Sequence, residues 1–189
     1  LASLDWLDSA VELLGLAQAR LGAGLTGFEV MNRFSLDLVR RHFVPLVQPL
    51  PPAPWTVLLE QSDNEGQAQA TQRFEALLGD ALERGLIADA AVAANLEQAK
   101  AMWHLRESIP LAQAEEVLRG SPNNHPALRI GAASAAFAGY KDTAQRLVSH
   151  LQAVDPLLRV SNLANVLGPY RHAAIEKYRE GLRFTGLPE

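Results

Sequence analysis

Apolar residues recur at three- and four-residue steps through Leu4, Leu7, Val11, Leu14 and Leu21, which places them on one face of a helix. The pattern predicts a helix from about Leu4 to Arg20, with Ser3 as its N-cap and the glycines at 22, 24 and 27 as its stop. From Thr26 to Phe34 the period falls to two, predicting a strand with Phe28, Val30 and Phe34 on its buried side and Glu29, Met31 and Arg33 on the other. A short helix from about Ser35 to His42 follows. Pro45, Pro49, Pro51, Pro52 and Pro54 cannot donate ladder hydrogen bonds and mark a surface loop. Trp55 to Gln61 is apolar, with β-branched and aromatic members, and predicts a second strand, central in its sheet.

Asp63 or Asn64 then caps a helix reaching about Arg84, with an apolar stripe of Phe74, Leu77, Leu78, Ala81 and Leu82 and with Gly85 placed as a C′ glycine. Leu86 to Ala93 reads as a short third strand. Asn95 opens another helix, carrying Leu96, Ala99, Met102, Trp103 and Leu105, which Pro110 bends or ends. Past Glu116 a turn-rich stretch from Gly120 to Pro126 breaks the chain, and the rest reads as helices: Leu128–Ala138, Asp142–Val154, Ser161–Leu167 and Ala173–Phe184. The first two form a hairpin. The expected fold class is α+β, a partial antiparallel sheet covered by helices followed by an all-helical tail, with domains at 1–119 and 120–189.

The 189 residues suffice for one ordinary domain or two small ones, and the formal charge of −4, with Lys and Arg scattered, makes nucleic acid an unexpected partner. The chain has no cysteine, which removes disulfides, thiolate catalysis and cysteine-ligated metals. Acidic residues occupy Leu1 to Asp8, where a signal peptide would be basic, and no apolar run approaches a membrane span. Cytoplasm is the expected location. An opening on Leu1 rather than Met leads us to expect residues upstream.

Candidate chemistry is sparse. Gly22-Ala23-Gly24-Leu25-Thr26-Gly27 matches G-x-G-x-x-G, but a dinucleotide site needs a strand before the string and a helix after it. Here the predicted order is reversed, and the string reads as a turn. His42, His104, His125, His150 and His172 lack metal-site spacing and read as surface or capping residues, so no metal is expected. There is no nucleophile elbow and no phosphate loop, and no catalytic residue is assigned. Glu115 and Glu116 point about a hundred degrees apart on a helix and read as a solvated face. Arg106, in Trp103-His104-Leu105-Arg106-Glu107-Ser108-Ile109, either grips a carboxylate or forms a surface ion pair with Glu107 or Glu97.

Four stretches in register, Leu25 to Met31, Pro54 to Glu60, Gly85 to Ala90 and Met102 to Ile109, resemble the substrate-side C-terminal domain of the FAD-linked oxidases over about residues 1 to 116. That group includes the glycolate oxidase flavoprotein subunits and the D-2-hydroxyglutarate and D-lactate dehydrogenases. The resemblance implies an α+β domain that covers a flavin bound elsewhere and holds a small hydroxy acid for hydride transfer to FAD. It implies that Arg106 binds the substrate carboxylate. The family's flavin-domain glycine loops, later lysine-aspartate strand, histidine-rich metal segment and Gly-Asp-Gly-Asn motif have no counterpart here. The chain therefore reads as a truncated domain, inactive without a separate flavin-binding chain.

From about Asn124, the stretch His125 to Ala133, the turn at Ala138-Gly139-Tyr140, Val154-Asp155-Pro156 and the ending from Tyr178 to Glu189 resemble tetratricopeptide-type helical regions attached to bacterial adenylate cyclases. That likeness implies a non-catalytic protein-interaction module as the alternative function. A helical array needs about three units to cover its own apolar faces, so this tail is expected to bury itself against the first part, pair with another chain or remain loose. The joining of two unrelated families suggests a gene rearrangement or a remnant reading frame.

Overall fold

The structure, a computed structural model, describes residues 1–43, 46, 48–62, 66–167 and 172–189, with Gln67 and His172 described in backbone only. The chain divides into two compact units, Leu1–Asp37 with Pro45–Arg106, and Leu38–Val44 with Glu107–Glu189. It is α+β, with a small antiparallel sheet and helices at the C-terminal end.

In unit 1 the strands β1 (Ala2–Leu4), β2 (Leu25–Asn32), β3 (Trp55–Gln61) and β4 (Asp89–Ala90) form a sheet in the order β2-β3-β1-β4. The strand expected at Trp55–Gln61 has those bounds and is central, with β2 on one side and β1 on the other. The start of the chain departs from expectation. Ser3 caps no helix; it is buried in β1, and its hydroxyl donates to the Asp89 carbonyl at 3.4 Å. Three residues give too few positions for period two to show, yet β1 is held on both sides, pairing Ala2 with Val57 and with Ala90.

Helix α1 (Leu7–Leu21) begins after Trp6, which makes no side-chain cap bond. Its buried face is Ala10, Leu13, Ala17 and Leu21, whereas Leu7 and Val11 are exposed. The expected stripe was out of phase because the small alanines, which allow close approach to the sheet, carry the contact. With Leu77, Leu78 and Ala81 of α3 (Gln67–Glu83), this face buries Ala2, Leu4, Val57 and Leu59. Leu82, expected in the stripe, is exposed. The cap expected at Asp63 or Asn64 lies outside the described residues, as does Pro45 of the loop. Gly85 ends α3 with φ +68°, as a C′ glycine should.

Register assigns the opposite sheet face. Val30 pairs with Val57 and Met31 with Thr56, and since side chains alternate, Met31 points away from the first core and is buried, while Val30 is half exposed. The expected division of β2 into one buried and one polar side fails because each sheet face has a helical cover. Phe34 is not in the strand: α2 runs Arg33–His42, with the Ser35 N–H donating to Asn32 Oδ1 at 2.8 Å. Helix α4 (Leu96–Glu107) brings Met102, Trp103 and Leu105 to the second face. Asn95 starts it as expected, accepting from the Gln98 N–H at 2.9 Å. The third strand shrinks to β4.

In unit 2, α5 (Ile109–Gly120) starts afresh after the fully buried Ser108, with Pro110 in its first turn, where its missing N–H costs nothing. It is followed by α6 (His125–Phe137), α7 (Lys141–Val154), α8 (Leu163–Val166) and α9 (His172–Phe184). Leu111, Leu128, Leu147, Leu151, Leu158, Leu163 and Leu182 fill the core. Helix α6 begins earlier than expected because Asn124 Oδ1 accepts from the Ala127 N–H at 2.9 Å, an N-cap. The hairpin of α6 and α7 turns at Gly139, whose φ of +80° suits glycine. Among the described residues no helix is long and apolar enough to cross a membrane.

Candidate functional site

Arg106 lies one turn beyond Trp103 on α4, over the β2–β3 side of the sheet. What seats the helix there is Gly27: a Cβ at that position would stand 3.0 Å from Trp103 Cζ2 and 3.1 Å from Glu60 Cβ. The absence of a side chain on β2 lets the indole lie against the strand, and Arg106 is thereby delivered to Glu29. Its Nη2 donates to Glu29 Oε2 at 3.2 Å, with both side chains 38% exposed. Neither expected partner, Glu107 or Glu97, is the one found, because Glu29 comes from a strand 77 residues away. The β2 alternation put Glu29 on the same face as Met31 and was the available signal for it.

A guanidinium carries five N–H donors in a planar fork. The single contact to Glu29 therefore leaves donors for a second carboxylate. At this exposure the pair is worth about 0–1 kcal/mol, too little to compel Arg106 into one arrangement. The larger groove of unit 1, about 550 Å³, is a different place: Leu58, Phe74, Met102 and Trp103 line it together with Glu60 and Glu75, and Arg106 does not. Two carboxylates in its wall make it unsuited to an anionic substrate.

The glycine string fails the test for a flavin pyrophosphate. It lies after α1, turns through a 3₁₀ segment at Gly22–Gly24 and enters β2. The Ser62 N–H donates to the Gly24 carbonyl at 2.9 Å. The string thus joins a helix to a strand and presents no helix N-terminus, as the sequence reading required. Among the described residues no three His, Asp or Glu side chains gather to hold a metal ion.

Several other titratable groups pair with one another in unit 2. Glu116, expected on a solvated face, joins Arg41 at 2.8 Å and the mostly buried His42 at 3.0 Å, with Arg119 at 3.8 Å. The His42 hydrogen bond, followed by the nearby arginines, holds its carboxyl below the ordinary value. Glu115 pairs instead with Arg146, so the two neighbours do diverge. His125 approaches Asp155 at 3.8 Å and His150 meets Asn123 at 2.9 Å; the side chain of His172 lies outside the described residues.

The family model for FAD linked oxidases, C-terminal domain, matches residues 1–123. The D-2-hydroxyglutarate dehydrogenase, mitochondrial, of Arabidopsis thaliana is 31% identical over 109 residues, which are 58% of this chain and 19% of that protein. The probable D-2-hydroxyglutarate dehydrogenase, mitochondrial, of Oryza sativa subsp. indica is 32% identical over 109 residues, 57% of this chain and 19% of that protein. The Bos taurus D-2-hydroxyglutarate dehydrogenase, mitochondrial, is 30% identical over 99 residues, 52% and 18% respectively. The matched stretch thus spans 19% of the length of the first of these relatives.

Proposed function

The chain belongs to the FAD linked oxidases, C-terminal domain, family, and from that premise we propose that unit 1 is the substrate-side part of a D-2-hydroxy-acid dehydrogenase in which Arg106 holds the substrate carboxylate. The observation that carries this reading is the seating of Arg106: α4 locks against Gly27 through Trp103 and brings the guanidinium to β2, where Glu29 occupies one donor and leaves the others open. A carboxylate taken by the remaining donors is oriented before any chemistry begins, and orientation is what a protein contributes to a redox reaction carried by a cofactor. D-2-hydroxyglutarate, for which the relatives are named, is the first compound to try, as a small hydroxy acid.

The glycine string does not fit FAD, so no redox step is assigned to this chain. In this reading the 189 residues hold the substrate, in the cytoplasm, and depend on a flavin-binding part outside them for turnover. A visible spectrum checks that dependence: the purified chain is supplied with FAD, freed of excess and given D-2-hydroxyglutarate without oxygen. The expected outcome is a colourless protein. Retained flavin that bleaches would show that the chain works by itself and overturn the dependence.

A second reading, a non-catalytic protein-interaction module of tetratricopeptide type, draws on unit 2, which has a helical core of its own and extends 66 residues past the family match. Stable self-association or capture of a peptide by the full chain, with no affinity for hydroxy acids, would favour it.

A further inference from the structure

Unit 2 carries an open groove of about 560 Å³ between α6 and α9. Its walls are largely apolar, from Ile130, Phe137 and Ile175, yet Arg129 lines it too. Arg129 is 7% exposed, and its Nε is buried with no hydrogen-bond partner. Among the described residues the guanidinium makes no hydrogen bond and no ion pair. A buried guanidinium cannot shed its charge, and an uncompensated one opposes folding strongly. A second cation, Lys177, lines the same groove with its Nζ 5.8 Å from the centre of the Phe137 ring. Among the described residues that line it there is no Asp or Glu. Two cations without a carboxylate, set in an apolar wall, are complementary to an anion attached to an apolar body.

We propose that this groove binds a small-molecule carboxylate with an aliphatic or aromatic body, the carboxylate on Arg129 and Lys177 and the body against Ile130, Phe137 and Ile175. The volume fits a small molecule, whose pockets span about 300–1,000 Å³. Arg129 offers the planar fork that takes a carboxylate bidentately, and the described lining residues include no carboxylate to compete for it. The site is distinct from Arg106, and its ligand need not be a hydroxy acid.

Calorimetric titration of the full chain with octanoate, with octanol and with acetate tests this. Octanoate should saturate one site and raise the melting temperature. Octanol, lacking the charge, and acetate, lacking the body, should each bind about tenfold or more weakly. Arg129→Met should weaken octanoate to the level of octanol, and without ligand it should melt higher than the wild type because the unpaired charge is gone. Arg106→Ala should leave octanoate affinity unchanged, which separates this site from the hydroxy-acid reading. Equal binding of octanoate and octanol by the wild type would overturn the proposal, as would octanoate that never saturates. Should Arg129→Met fail to fold, that wild-type comparison still decides.

Discussion

Replacing Gly27 with valine strikes the contact that seats α4. The new Cβ would lie 3.0 and 3.3 Å from two indole carbons of Trp103 and 3.1 Å from Glu60 Cβ, against a carbon–carbon optimum of about 3.5–4.0 Å. Two neighbours are crowded at once, and the valine methyl groups reach further than the Cβ. Overpacking of this kind costs about 1–3 kcal/mol, of which about 0.5–1 kcal/mol returns because glycine no longer has to be ordered in a strand. With two neighbours crowded the upper part of that range, about 2–3 kcal/mol, applies, and the net loss of about 1–2.5 kcal/mol in a compact unit of about 100 residues lowers its melting temperature by roughly 4–20 °C. Thermal unfolding followed by tryptophan fluorescence reads this directly, since Trp103 is the displaced group. Adding Trp103→Ala makes room for the valine, so the double variant should lose less than the sum of the two single changes. Gly27→Val melting within about a degree of wild type, or strict additivity with Trp103→Ala, would refute the account of how Arg106 is positioned.

Two further outcomes concern unit 2. Glu116 has a carboxyl held below its ordinary 4.5, first by His42 and then by Arg41 and Arg119; a carboxyl depressed in the folded state contributes stability that is present above the unfolded value and lost as pH falls through the folded one. Urea titrations should therefore show wild type more stable than Glu116→Gln near neutral pH, with the gap closing below the ordinary value; a gap independent of pH would contradict the pairing. Leu147 is fully buried in the helical core, and Leu147→Ala should cost about 2–5 kcal/mol by chemical denaturation, a loss under about 1 kcal/mol speaking against a packed core.

The sequence was most legible where an element is long and flanked by turn residues. Trp55–Gln61 is bounded by Pro54 and Ser62 and made of residues that suit a pleated surface, so its limits and central place were readable. Gly85 and Asn95 marked helix ends by chemistry local to each. What stayed hidden depends on partners distant in sequence. β1 exists only because β3 and β4 flank it, and the buried face of α1 is set by alanines, which a search for large apolar residues passes over. Arg106 was readable as a group able to grip a carboxylate, but not its pairing with Glu29, which requires the packing of α4 on β2. Arg129 gave no sign at all, because its burial follows from the packing of other helices on α6 rather than from its neighbours in sequence.

The most direct measurement is a titration of the isotope-labelled chain with D-2-hydroxyglutarate, followed by chemical-shift changes on α4 and β2, in wild type, Arg106→Ala and Glu29→Gln. Loss of a charge-assisted hydrogen bond of about 1.5–3 kcal/mol predicts affinity about ten- to a hundred-fold lower for Arg106→Ala. Glu29→Gln, which removes a competing negative charge, is predicted to bind at least as well as wild type. Equal binding by wild type and Arg106→Ala would contradict the assignment of the substrate carboxylate to Arg106.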